Sequence, residues 1–292
     1  MSPAEKEQAK GGPPGLVLAL AWAVVLGLLA WIYAPHVAGM VGAWWNDPNY
    51  SHGFLVPLIS VYLIWRQRRQ LAEAAAGPNY LGLLVVAGGL LILVVGQLAH
   101  EFYLRRVSLI PVMWGLVLLA WGWGVARRLI FAFAYLILMV PLPYLLYDAV
   151  AFPLRLIAAQ VAAWGIRLFG IPVYLEGNVI HLPNMVMNVV DACSGIRSLI
   201  SLLAVGIILA YLLLPKRWLK LVVVLLVPPV AVFTNALRVT AAGILARYYG
   251  PETLEGVMHD FVGWLVFMAG FILLLFITLG LRKLYPAGGA ES

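Results

Sequence analysis

Residues 218–238 read WLKLVVVLLVPPVAVFTNALR, and after Lys220 no charged side chain occurs until Arg238. A helix needs about 20 predominantly apolar residues to cross the hydrocarbon of a bilayer, and 218–237 meets that length. The stretches 16–35, 80–98, 107–125, 129–147, 199–214 and 262–281 have the same character. A shorter run, 53–65, is flanked by Tyr50 and Trp65, aromatic residues suited to membrane interfaces. The stretch 149–170 is apolar but carries Arg155, Gln160 and Arg167.

Composition agrees with a membrane reading. Of the 292 residues 64% are hydrophobic and 11% charged, and the mean hydropathy is +0.97. Soluble domains run near half apolar and a quarter charged, so a water-soluble enzyme is excluded, as is intrinsic disorder. The net charge of +7 resides in short basic clusters between apolar segments, with no basic stripe interleaved with aromatics. Nucleic acid is therefore not an expected partner. A single cysteine, Cys193, excludes an internal disulfide and a Cys-rich metal site. The first apolar run lacks a small-x-small cleavage site before a polar segment, which predicts a retained membrane helix and not a removed signal peptide.

Charge orients these segments. With the N-terminus, 66–79, 126–128, 215–220 and the C-terminal tail on one side, that side holds twelve Lys or Arg and four acids. The other eight acids, Asp47, Glu101, Asp148, Glu176, Asp191, Glu252, Glu255 and Asp260, fall elsewhere. The basic side is cytoplasmic by the positive-inside rule. This alternation requires 149–170 to stay on the outer face, with Arg155 and Arg167 snorkelling to headgroups. The expected fold is all-α: a polytopic bundle of about eight transmembrane helices plus one interfacial or re-entrant helix. One membrane domain spans 16–281, between cytoplasmic tails 1–15 and 282–292. The alternative is nine crossings, with the topology inverted after residue 170.

Three groups converge on the outer side of this arrangement. Cys193 lies in Val190-Asp191-Ala192-Cys193-Ser194-Gly195, at the expected start of the 199–214 helix. Unpaired N–H groups at a helix start lower a thiol pKa and can receive an oxyanion, and Asp191 or Ser194 is a suitable cap. Read blandly, the same stretch is a polar turn with an inert Cys. Arg238 ends an uncharged run with Asn235 one turn earlier, and an ionisable group at that depth normally faces a cavity. His259, beside Asp260 and before Gly263, supplies the base that a thiol nucleophile requires. His52 falls on the same outer side as a supporting candidate. The segment Glu176-Gly177-Asn178 to Leu182-Pro183-Asn184 encloses an alternating run that predicts a short hairpin. The five histidines are scattered without metal-ligand spacing, and neither a P-loop nor Gly-x-Ser-x-Gly is present, so no metal or cofactor is expected.

Taken in order, these blocks resemble the exosortase/archaeosortase family. They are Ser51-His52-Gly53-Phe54, Glu176-Gly177-Asn178-Val179-Ile180, Leu182-Pro183-Asn184, Val190 to Ser198, Asn235-Ala236-Leu237-Arg238-Val239 and His259-Asp260-Phe261-Val262-Gly263-Trp264. The resemblance covers roughly residues 45–280, with the bacterial branch nearer than the archaeal. It implies a multipass cysteine peptidase or transpeptidase of the bacterial inner membrane, its active site facing the periplasm. Its substrates would be exported proteins carrying a C-terminal tail: a Pro-Glu-Pro-like motif, a hydrophobic helix and a basic cluster. The family's Cys, Arg and His fall on Cys193, Arg238 and His259, with Asn184, Ser194, Asn235 and Asp260 as supporting candidates. Membrane lipid is the other expected partner. Two rival readings are a membrane acyl- or glycosyltransferase acting on lipid-linked precursors through His259 and Asp260, and a transporter with Arg238 as substrate counter-charge.

Overall fold

The computed structural model describes residues 14–189, 196–250 and 256–286, with backbone alone for 14, 15, 196 and 256–260. In hydrocarbon every backbone N–H and C=O must be paired within the chain, which leaves the apolar runs little choice but helix. The helices are α1 (Pro14–Asn46), α2 (Leu55–Arg66), α3 (Arg68–Ala74), α4 (Leu81–Leu98), α5 (Phe102–Val107), α6 (Leu109–Tyr135) and α7 (Tyr144–Leu168). Strands β1 (Tyr174–Glu176), β2 (Val179–Leu182) and β3 (Met185–Asn188) follow, then α8 (Ile196–Leu213), α9 (Arg217–Tyr249) and α10 (Gly256–Leu284). Among the described residues six segments are long and apolar enough to cross a membrane: Leu16–Asn46, Leu81–Leu98, Phe102–Met139, Tyr144–Leu168, Arg217–Tyr249 and Phe261–Leu284. The chain is an all-α, polytopic membrane bundle carrying one small sheet. It divides into two compact units, 1–43 with 67–133 and 44–66 with 134–292.

In the first unit α4 runs antiparallel to α5 and the front of α6. Gly82 lies against Gly115 and Leu119, Gly89 against Val112, and Gly96 against Arg105. Small residues at such positions let helix backbones approach, which is where packing energy arises when lipid supplies no hydrophobic drive. The Tyr33 and Ser108 hydroxyls meet at 2.9 Å. Helix α6 is not straight. At Gly122 the backbone takes φ 82°, ψ −178°, a region open essentially to glycine alone. Trp114 Nε1 donates to the Ala126 carbonyl at 2.9 Å. Twelve residues of straight helix would separate these positions by about 18 Å, so the two arms fold back on each other. The expected segments 107–125 and 129–147 overlap these arms, which lie within one long apolar segment, Phe102–Met139. Their turn is at Gly122, not 126–128, and the second arm ends early because Pro141 and Pro143 cannot continue the ladder.

The second unit is built on α7 to α10. Gly206 of α8 packs on Val227 of α9, and Gly270 of α10 packs on Leu202 and Thr234. Neighbours in this series are therefore antiparallel, around a core of Leu202, Val227, Val230, Ala231 and Leu274. Helix α7 is different. Gly165 meets Thr240, and Ile166 meets Gly243, while Leu154 and Arg155 share a small cavity with Ala231 and Asn235. Both sequence numbers rise together, so α7 lies parallel to α9. Ala159 and Ala162 make that seam thin, and Ile180, Leu182 and Met187 of the sheet cover it.

The sheet is a meander, β1-β2-β3, antiparallel throughout. The expected hairpin is present with a third strand added, and its first turn uses Gly177 at φ 60°. One expected crossing is shorter than a span, since 53–65 is the 12-residue α2; the other, 199–214, lies in α8, which at 18 residues is as long as α4. Helix α9 instead outruns its expected end at 237, because 239–249 contains no proline and Gly243 stays helical within the packed seam, and it ends at Gly250 with φ 94°.

Gly122→Ala is expected to destabilise the protein by about 1–3 kcal/mol, the range for a residue forced into such a backbone region; its Cβ would also land 2.6 Å from the Gly77 carbonyl. Gly88→Ala, at a helical position with nothing within 4 Å, is expected to be neutral or stabilising by up to about 1 kcal/mol. Thermal unfolding of the two variants in detergent checks the contrast.

Candidate active site

The site begins with a 3₁₀ turn, Pro48–Phe54. The Asp47 carboxylate accepts from the Asn49 amide at 2.9 Å and from Asn49 Nδ2 at 2.8 Å, and Pro48 presets the first φ. Gly53 lies flat against the Trp44 indole, whose Nε1 donates to the Met139 carbonyl at 2.8 Å. His52 is buried, with Nε2 donating to the Leu138 carbonyl at 3.1 Å. Trp44 and His52 thus brace the turn against residues 138–139, and this leaves Ser51 on the open side.

Ser51 lines a cavity of about 370 Å³ together with Arg197, Ser198, Ser201, Arg238, Gly263, Trp264 and Phe267. Four separate sequence blocks meet here: the Ser-His-Gly-Phe turn, the first turn of α8, the middle of α9 and the front of α10. The antiparallel packing of α8, α9 and α10 sets the level at which they meet. The Arg238 guanidinium rests on Gly263, where a Cβ would sit 2.6 Å from Nη2 and 2.8 Å from Cζ. A side chain at 263 would displace the charged head from this place.

Arg197 was not singled out by the sequence reading. A signal was present, since a cation in the first turn of a helix opposes the helix dipole; such a placement calls for a local reason. The hydroxyls of Ser198 and Ser201 lie three residues apart on α8 and share the cavity wall.

The remaining candidates are distributed differently. Asn235 is buried, and its Oδ1 has no hydrogen-bond partner among the described residues. It lines the smaller cavity that Arg155 also lines. Arg155 was expected to reach headgroups, but its side chain is only 14% exposed and pairs with Asp148 at 3.8 Å. The seam against α9 encloses it, and Asp148 lies two turns earlier on its own helix. Arg167 donates to the Val173 carbonyl at 3.0 Å. Asn184 Nδ2 donates to the Ala246 carbonyl at 3.3 Å, so it ties the β2–β3 turn to α9 and does not reach the large cavity. Cys193 and Ser194, with Asp191, lie outside the described residues. His259 and Asp260 belong to α10 as helical backbone, and their side chains lie outside the described residues. Among the described residues no group of three or more His, Cys, Asp or Glu comes together as a metal site.

A family profile described as transmembrane exosortase matches residues 44–276. The chain belongs to the transmembrane exosortase family. No curated protein and no solved structure matches it. This exosortase is accordingly a membrane-embedded cysteine peptidase or transpeptidase for protein sorting, acting at the cell-surface face on exported proteins that bear a sorting signal. Membership separates it from the transferase and transporter readings.

Burial lowers the His52 pKa from its ordinary value of 6.5, so the folded exosortase holds a neutral imidazole there. The unfolded chain binds that proton first as pH falls below about 6.5, and unfolding therefore becomes easier through the window between 6.5 and the depressed folded value. His52→Gln, which keeps an N–H for the Leu138 carbonyl, is expected to lose this part of the decline. Melting temperatures of both proteins at pH 7.5 and 5.5 check it.

Proposed function

We propose that Cys193 is the nucleophile, His259 the general acid and base, and Arg238 the fixed cation of this exosortase. The observation that carries the reading is the cavity where Ser51, Arg197, Ser198, Arg238 and Gly263 meet. Cys193 precedes Arg197 by four residues, so covalent reach keeps the two Cα atoms within about 14 Å. Position 259 precedes Gly263 by four residues on α10, about 6 Å along the helix axis. The blocks carrying all three groups thus border one cavity lined by guanidinium and hydroxyl groups.

The reaction is acyl transfer. The Cys193 thiolate adds to the scissile carbonyl, and negative charge moves from sulfur to the carbonyl oxygen. A guanidinium facing the cavity stabilises that charge in both places. The tetrahedral intermediate collapses, the C–N bond breaks, and His259 delivers a proton to the departing amine. The tail leaves and a thioester remains on Cys193. His259 then takes a proton from the incoming nucleophile, and water gives hydrolysis while a surface amine or hydroxyl gives transpeptidation.

The topology proposed with this reading has eight crossings, with α7 held at the outer face, short cytoplasmic tails at 1–15 and 282–292, and one membrane domain at 16–281. The break of α6 at Gly122 supports it, because the chain changes direction there. For α7 the support is charge: were it to cross, Lys216, Arg217 and Lys220 would fall outside and the acidic residues Glu252, Glu255 and Asp260 inside. The site then faces the periplasm of a bacterial inner membrane. The substrate tail, with its Pro-Glu-Pro-like motif, hydrophobic helix and basic cluster, enters from the lipid. Asn235, Asp260 and Ser194 are supporting residues, and His52 and Asn184 hold the surrounding frame.

Trapping tests the order of events. A tagged exported protein with such a tail is co-expressed, and Cys193 is examined by mass spectrometry for an acyl adduct. The adduct is expected in the wild type, with accumulation in His259→Ala and no processing in Cys193→Ala; processing by Cys193→Ala would overturn the assignment.

Gly263→Val displaces the Arg238 guanidinium without removing it. Processing is expected to fall at least about a hundredfold, the scale for losing one preorganised donor at a developing oxyanion. Steady-state processing measured at matched expression levels checks this, and Gly280→Val, at a position with nothing within 4 Å, serves as the control.

A further inference from the structure

Helix α4 has 18 residues, about 27 Å of helix, close to the ~30 Å hydrocarbon thickness. Its C-terminal end is therefore at headgroup level. At that end a cavity of about 760 Å³ is lined by His36, Gln97, Arg105 and Arg106, with Trp31 and Phe102 at its edge. Arg105 and Arg106 also fall on the outer side of the proposed topology, where the positive-inside bias gives no reason for a basic pair.

Both guanidiniums are held on one ring. The Cζ atoms of Arg105 and Arg106 lie 5.1 Å and 5.7 Å from the Phe102 centroid. Arg105 is fixed further by Nε donating to the Gly96 carbonyl at 3.0 Å and Nη2 to the Gln97 carbonyl at 3.5 Å. Arg106 Nη2 reaches α1 at Gly39, 3.2 Å from where a Cβ would stand. No carboxylate lines this cavity among the described residues. Glu101, adjacent in sequence, is engaged in capping α5 through the Tyr103 and Leu104 amides. Two guanidiniums lining one cavity at a membrane interface set up a concentrated positive field for an anion that enters it.

We propose that this cavity binds the headgroup of an anionic, phosphate-bearing lipid. Guanidinium matches phosphate geometry, and basic pockets between membrane helices take such headgroups. The aromatic edge at Trp31 and Phe102 suits the boundary between headgroup and acyl chain. This site lies in the first unit and does not depend on the peptidase reading.

The test titrates the purified full chain, in neutral detergent, with dioleoylphosphatidylglycerol, dioleoylphosphatidylcholine and inorganic phosphate, and counts bound molecules by native mass spectrometry. The anionic lipid is expected to bind about tenfold tighter than the zwitterionic one, the factor that one charge-assisted hydrogen bond supplies. Arg106→Gln is expected to remove that preference. Gly39→Leu, which fills the Arg106 seat without changing charge, is expected to reduce it as well. Arg105 is left intact because it ties down α4, and Arg127→Gln, a basic change on the other arm of α6, is expected to preserve binding. Equal affinity for the two lipids would overturn the proposal, as would a preference that survives both site variants or one that Arg127→Gln removes. Inorganic phosphate binding as tightly as the lipid would assign the cavity to a soluble anion and overturn it too.

Discussion

A guanidinium placed midway along an apolar helix is the constraint on which the second unit turns. Arg238 sits on α9 between α8 and α10 at the end of the apolar run 218–237; an arginine costs about 2.5–3.5 kcal/mol at the centre of a membrane helix and less, but still a penalty, toward its end. One interhelical hydrogen bond in a membrane protein returns about 0.6 kcal/mol on average. No single contact offsets that cost. What accommodates the charge is the shape of the three-helix seam: Gly263 leaves room for the head, and Arg197 and the serines of α8 give the cavity a polar wall. The register that brings these residues to one level is fixed elsewhere, by Gly206 on Val227 and Gly270 on Leu202 and Thr234. Packing far from the chemistry thus decides where the charge stands.

The membrane class and most helices were legible because lipid leaves the backbone one economical solution and long apolar runs announce it. Boundaries were less legible. Gly122 is one glycine among 28, and nothing local marks it as the residue that reverses α6; the Trp114 bond to Ala126 that closes the arms is a tertiary event. Helix α9 runs about 16 Å past Arg238, since hydropathy reports where lipid ends and not where a helix ends. The parallel lie of α7 against α9 depends on alanines meeting across a seam, and periodicity cannot name the partner of a small-residue face.

The cavity itself was half legible. Arg238 stood out because charge is rare at that depth, and the Ser-His-Gly-Phe block contributes Ser51 to the same cavity. Asn184 was grouped with the site by neighbourhood in sequence, yet it serves the sheet. Arg155 looked like an interfacial anchor because its partner Asp148 lies two helical turns away in sequence. Arg197 was hidden within a longer block, although its unfavourable place in the helix dipole was visible in the residues. Covalent position reports chemistry well when a residue violates a local rule, and poorly when its role comes from what packs beside it.

The same distinction divides the basic residues of the whole chain. Those in the basic clusters of the proposed cytoplasmic side need little from the fold; Arg128, for example, is exposed and donates to Gln70 at 3.2 Å. The exceptions on the opposite side have local work. Arg155 faces Asp148, Arg167 takes the Val173 carbonyl, Arg105 closes the end of α4, and Arg197 and Arg238 share a cavity. A cation that topology does not require is retained against its desolvation cost only where it meets a carbonyl, a carboxylate or an anion brought from outside. Arg155, Arg167 and Arg105 have partners of the first two kinds within the protein. The cavity walled by Arg197 and Arg238 has room for the third kind, the charge on a reacting substrate in the proposed reaction.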